Sequence, residues 1–218
     1  MSAAPVSRAT PRRIGLMGGS FDPVHNAHVA LAEAALQHLQ LDEVRWIPVG
    51  QAWQKARALA PAVHRIAMVE AAVAHEPRFV VDAIEVNRAG PSYTLDTVRT
   101  LQEVEADAAG ALTEWVLVIG QDQYANLPSW HGWAELLQRV TLAVACRGDQ
   151  AIAPPQALLN HPHTVVRLPM PPMAVSSTDI RARLGRGEEP ASLAPSLVSP
   201  GVARYIAHHQ LYAPGAPR

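Results

Sequence analysis

The residues most able to do chemistry lie together in Gly18-Gly19-Ser20-Phe21-Asp22-Pro23-Val24-His25-Asn26-Ala27-His28. Two glycines let backbone approach a ligand closely and permit positive φ. Asp-Pro marks a turn. His25 and His28 are three residues apart, so at the start of a helix both can face one point. The N–H groups and the dipole of a helix N-terminus favour an anion at that point. A phosphate cradle fits this pattern. A plain glycine turn with two surface histidines fits the local spacing equally well. The Walker A pattern is absent, no lysine follows the glycines, and GxGxxG is absent too. Zinc on His25 and His28 would need third and fourth ligands, and no cysteine pair or HExxH supplies them.

The elements around this stretch are those of an α/β fold. Arg12 to Met17 is an apolar-centred strand, and Ala27 to Leu39 reads as a helix with Ala32, Ala35, Leu36 and Leu39 inward. Asn26 or a near neighbour caps that helix. Strands follow at Glu43 to Pro48, at Phe79 to Val81 with a continuation through Ile84-Glu85-Val86, at Glu114 to Gly120, and at Val140 to Cys146. A further short strand fits Thr164 to Leu168. Helices fit Ala62 to His75 (Ile66, Val69, Ala72 and Val73 inward), Leu95 to Glu105, Leu127 to Gln138, a segment capped by Ser176 or Ser177, and Pro200 to His209. The irregular stretch Val49 to Pro61 is long for a βα connection, which marks a functional loop. Strands and helices alternate as right-handed βαβ units require. In such a sheet the strand-to-helix turns face the ligand crevice.

Composition limits the function classes. The 218 residues carry a net charge of −1, 49% hydrophobic and 17% charged residues, so no broad basic surface invites nucleic acid. No apolar run approaches the roughly 20 residues of a membrane span. Met1 to Pro11 lacks an apolar core and is expected to be a disordered lead-in rather than a signal peptide. The lone Cys146 sits in an apolar run, as a buried structural thiol does. Together these point to a cytoplasmic protein with one domain over 12–214.

The opening stretch resembles the GGxFDPxHxGH signature of the nucleotidyltransferase family with an (H/T)xGH motif. Ser176-Ser177-Thr178-Asp179-Ile180-Arg181 resembles that family's second signature, [IV]SST-x-[IL]R. Two signatures in the right order, near opposite ends of the chain, are far more specific than either alone. Ser92-Tyr93-Thr94-Leu95-Asp96-Thr97 and Ile119-Gly120-Gln121-Asp122, with Leu127 and Trp130, resemble segments of bacterial nicotinate-nucleotide adenylyltransferases. Two departures stand out. Ala27 replaces the usual glycine of HxGH, and Gln51-Ala52-Trp53-Gln54-Lys55 replaces a PPHK-like segment, leaving only Lys55 to carry over.

The resemblance implies a Rossmann-like, doubly wound, mostly parallel sheet of order 3-2-1-4-5 with a C-terminal helical segment completing the site. It implies transfer of AMP from ATP to nicotinate mononucleotide, with Mg²⁺ accompanying the ATP and no covalent intermediate. His28, His25 and Arg181 would act on the phosphates, His28 nearest the transferred group. Gly18, Gly19, Ser20, Phe21, Gly120, Asp122, Ser177 and Thr178 would complete the ATP site. Asp122 would accept from a ribose hydroxyl or simply cap a helix. Trp130 would stack on the pyridine ring or belong to the core. Lys55, Thr94 and His131 would receive the pyridine nucleotide. Related adenylyltransferases acting on nicotinamide mononucleotide or phosphopantetheine, and a non-catalytic nucleotide-binding module, are the alternatives on this fold.

Overall fold

The computed structural model describes residues 11–51, 58–109, 112–147 and 151–215. Lys55 and residues 1–10 of the expected lead-in lie outside them. The strands are β1 (Arg12–Gly19), β2 (Glu43–Pro48), β3 (Phe79–Val81), β4 (Thr113–Gly120), β5 (Thr141–Arg147) and β6 (Val165–Met170). The helices are α1 (Asn26–His38), α2 (Ala62–Val73), α3 (Thr94–Ala109), α4 (Gln121–Asn126), α5 (Trp133–Arg139), α6 (Ser177–Gly185) and α7 (Pro200–His208). All adjacent strands pair in parallel, in the order β3-β2-β1-β4-β5-β6. The expected order holds, and β6 extends it by one edge strand. The chain winds outward through β2 and β3, then returns to the far side of β1 with β4. This reversal opens a crevice at the carboxyl ends of β1 and β4.

Side-chain alternation divides the sheet's two faces. Met17, Val44, Trp46, Val116, Val118, Ala143 and Leu168 pack with residues of α1, α2, α6 and α7. Ile14, Leu16, Ile47, Trp115, Leu117, Ile119, Leu142 and Val144 pack with residues of α3, α4 and α5. Helices on both faces explain why the central strands read as continuous apolar runs.

Several boundaries correct the sequence expectation. β1 runs on through Gly18 and Gly19 in register with Ile47 and Pro48, and the positive φ falls instead on Phe21, at 45°. Ile84 to Val86 is not strand: the Asp82 carboxylate accepts from the Ile84 N–H at 2.9 Å and turns the chain. A helix begins directly after β4 as α4, and the expected helix from Leu127 is broken at Gly132. Gly132 has φ of 62°, and a Cβ there would lie 2.2 Å from Leu95 Cδ2. Only glycine meets both demands. In α2, Arg65 and Met68 are buried while Ile66 is only partly so.

Candidate active site

The phosphate-loop candidate descends from the carboxyl end of β1 into α1. His25, with extended backbone, is the N-cap of α1, and Asn26 is its first residue. Asn26 anchors the helix start by donating from Nδ2 to the carbonyls of Pro195 (2.6 Å) and Ser196 (3.0 Å). Ala27 occupies the first turn of α1 within regular helix.

The two imidazoles lie stacked, with centroids 3.7 Å apart and planes 21° from parallel. The Phe21 ring meets His28 edge-on at 5.2 Å. His28 Nδ1 accepts from the His25 backbone N–H at 3.2 Å, so a neutral His28 carries its proton on Nε2. Burial pushes His25 down to about 4, and burial followed by the neighbouring His25 holds His28 well below the ordinary imidazole range. Both rings are therefore neutral at pH 7. His25 Nδ1 is buried and makes no hydrogen bond among the described residues. An oriented, uncharged pair of N–H donors beside a helix N-terminus is suited to an anion.

The second signature docks directly on the first. Ser176 caps α6 by accepting from the Asp179 N–H at 3.1 Å. Ser177 Oγ donates to the Pro23 carbonyl at 2.9 Å. Arg181 donates to the Asp22 carbonyl and, at 3.1 Å, to Thr178 Oγ1. The N-terminal turns of α1 and α6 thus meet at the Asp22–Pro23 turn, bringing His25, His28, Ser177, Thr178 and Arg181 together.

A cavity of about 160 Å³ opens at the carboxyl end of β1. Its walls include Gly18, Gly19 and Ser20, then Thr94, and on the far side Trp130 and His131. A Cβ on Gly18 would meet nothing within 4 Å, so this backbone faces open space. The Trp130 ring is partly buried and packs against the core. His131 lies against the Tyr93 ring, with centroids 4.5 Å apart.

Not every expected residue faces the ligand space with its side chain. The Phe21 ring is buried in the core, so only its backbone is available. Asp122 sits exposed in the first turn of α4, outside the cavity lining, and Gly120 is that helix's N-cap.

Sequence reasoning missed Glu85, Tyr93 and Gln123, which also line the cavity. Glu85 is buried and accepts from Thr97 Oγ1 at 2.8 Å, while burial raises its carboxyl pKa. Its place between Ile84 and Val86, both apolar, was the available signal.

The family model described as cytidylyltransferase-like matches residues 16–183. The Methylibium petroleiphilum protein named "Probable nicotinate-nucleotide adenylyltransferase" is 56% identical, covering 93% of each chain. The Bordetella petrii protein of the same name is 47% identical over 92% of this chain and 99% of its own. Plasmodium falciparum nicotinic acid mononucleotide adenylyltransferase, solved in complex with NaAD, superimposes with a TM-score of 0.72 at 19% identity, over 92% of this chain and 97% of that one. At that identity the likeness establishes the fold.

Proposed function

This chain belongs to the nicotinate-nucleotide adenylyltransferases, within the cytidylyltransferase-like family, and we propose that the junction of α1 and α6 is where its ATP phosphates are held. The enzyme transfers AMP from ATP to nicotinate mononucleotide, giving nicotinate adenine dinucleotide and pyrophosphate, a step of NAD biosynthesis. The observation that carries the site assignment is the stacked, neutral His25–His28 pair, His25 buried and His28 partly exposed, on the loop whose Gly18 to Ser20 line a cavity that Trp130 also walls.

The reaction asks little covalent chemistry of the protein. An oxygen of the mononucleotide's 5′-phosphate, already ionised at neutral pH, attacks the α-phosphorus of ATP. The bond from that phosphorus to the bridging oxygen breaks, and pyrophosphate leaves with the electron pair. Catalysis then consists of aligning two anions and stabilising charge on the phosphoryl oxygens. His28 Nε2–H is the donor assigned to the transferred group. His25 supports it, and Arg181 with Ser177 and Thr178 holds the tail of the triphosphate from the α6 side. Gly18, Gly19 and Ser20 offer close backbone, Phe21 its N–H, and Gly120 and Asp122 the edge toward the ribose.

Trp130 stacks on the pyridine ring, with Thr94 and His131 receiving its polar groups. Lys55 joins this set by resemblance alone. Magnesium enters as part of the substrate, Mg·ATP. Among the described residues no three His, Cys, Asp or Glu side chains converge as a metal cage, and an ion that keeps water and phosphate ligands does not require one.

The alternation of helices over one sheet supports treating 12–214 as a single domain. Among the described residues no helix is long and apolar enough to cross a membrane. A lone buried thiol, Cys146, suits a reducing compartment, and we place the enzyme in the cytoplasm.

The test is release of pyrophosphate from Mg·ATP with nicotinate mononucleotide, nicotinamide mononucleotide or phosphopantetheine as acceptor. Turnover is expected to be highest with the first. Preference for either of the others would reassign the acceptor, and no release with any would favour a non-catalytic nucleotide-binding module.

A further inference from the structure

We propose that Arg65 is a positioning residue for AMP transfer, turning the Ser20–Phe21 peptide so that the Phe21 N–H is presented to the ATP phosphates. The proposal rests on the reading of the crevice given above. Arg65 lies in the first turn of α2, and its side chain is only 2% exposed. Its guanidinium donates to three carbonyls from three separate segments: Nε to Ala60 at 2.9 Å, and the two terminal nitrogens to Ser20 at 3.0 Å and Val49 at 2.7 Å. Val49 and Ala60 bracket the irregular stretch after β2, so one side chain fastens both ends of that stretch to the phosphate loop. A planar, forked cation can satisfy three such acceptors at once, whereas the point charge of lysine cannot.

The bond to Ser20 has a consequence for its neighbour. In a trans peptide the C=O and N–H point in opposite directions. Drawing the Ser20 carbonyl toward Arg65 therefore turns the Phe21 N–H away from the guanidinium. Phe21 has φ of 45°, a left-handed conformation costly for a residue with a Cβ. Its ring is locked in the core against Trp46 and His28, and no described group accepts its N–H. An uncommon backbone conformation, held from both sides and leaving a donor unspent, is the arrangement expected where an anion is to be bound.

The hold on Arg65 is itself braced. Asp22, fully buried, accepts from Tyr212 Oη at 2.7 Å and from the Ala60 N–H at 3.3 Å. Its charge also opposes the lowering of the Arg65 pKa by burial. The C-terminal tail is thereby tied to the same assembly.

The test is steady-state kinetics of Arg65→Lys well below its melting temperature, beside His28→Ala and the wild type. KM for ATP is expected to rise, and kcat to fall, by about tenfold or more, while KM for nicotinate mononucleotide changes by less than about threefold. Guanidinium ion added to Arg65→Ala is expected to restore part of the turnover. A lower melting temperature with unchanged kinetic constants, or equal shifts in both KM values, would show a merely structural role and overturn the proposal.

If neither variant folds, amide exchange at Phe21 in the wild-type protein decides. Protection should appear on adding a non-hydrolysable ATP analogue, and its absence overturns the proposal. Normal turnover in His28→Ala would instead count against the phosphate site itself, which separates the two failures.

Discussion

His28 Nδ1 is occupied by the backbone N–H of His25, and this one bond fixes which nitrogen of His28 is left to act. A neutral imidazole in this setting donates from Nε2 and has no charge to attract a second proton acceptor. It can strengthen its bond as negative charge grows on the phosphoryl oxygens without binding the ground state equally tightly, which is what raises turnover.

His28→Ala is therefore expected to lower kcat by about a hundredfold or more, a loss of roughly 3 kcal/mol in the transition state, with a much smaller change in ATP affinity. Turnover measured at saturating substrates, beside calorimetric binding of an ATP analogue, checks this. A variant with near-normal kcat would remove His28 from the transition state.

The same burial that keeps the pair neutral links stability to pH. An unfolded histidine titrates near 6.5, whereas folded His25 titrates at about 4 and His28 is also depressed. Between these values the unfolded chain binds more protons than the folded one, so acid favours unfolding. The stabilisation is present above pH 6.5 and is lost as the pH falls toward 4. Melting temperatures measured across this window should decline. The double variant His25→Gln/His28→Gln should show a shallower decline, and parallel curves would mean that these rings are not the titrating groups.

The sequence made the two signature segments that meet in the candidate site legible because both are local motifs. Ser176 to Arg181 and Gly18 to His28 each carry their own turn and helix-cap chemistry, and the contacts between them follow once α6 is placed over the Asp22–Pro23 turn. The sheet order was legible through the family resemblance, since periodicity alone does not order strands. What could not be read were long-range effects. Arg65 looks like a surface cation on an amphipathic helix until three carbonyls from other segments converge on it. Glu85 looks like strand until the Asp82 turn folds it toward Thr97. Phe21 carries the positive φ that the adjacent glycines seemed made for, because Gly18 and Gly19 are held extended by pairing with β2. Those glycines make no use of the freedom to adopt positive φ.

The pyridine side supplies the last prediction. Trp130 is partly buried against the core cluster and also walls the cavity that Gly18 to Ser20 close on the other side. An aromatic ring held by packing can stack on a ligand without first losing rotamer freedom. Stacking of a base on such a ring is worth about 1–3 kcal/mol, so Trp130→Ala should raise KM for nicotinate mononucleotide by about tenfold or more. With ATP held against α1 and α6 as proposed, its KM should change by less than about twofold. Trp130→Phe keeps an aromatic face and should recover much of the loss, although the smaller ring leaves part of the wall open. Measurement of both KM values in both variants distinguishes stacking from packing. Equal rises for the two substrates would mean that the tryptophan supports the fold alone, and a selective rise rescued by phenylalanine would place the pyridine ring against it.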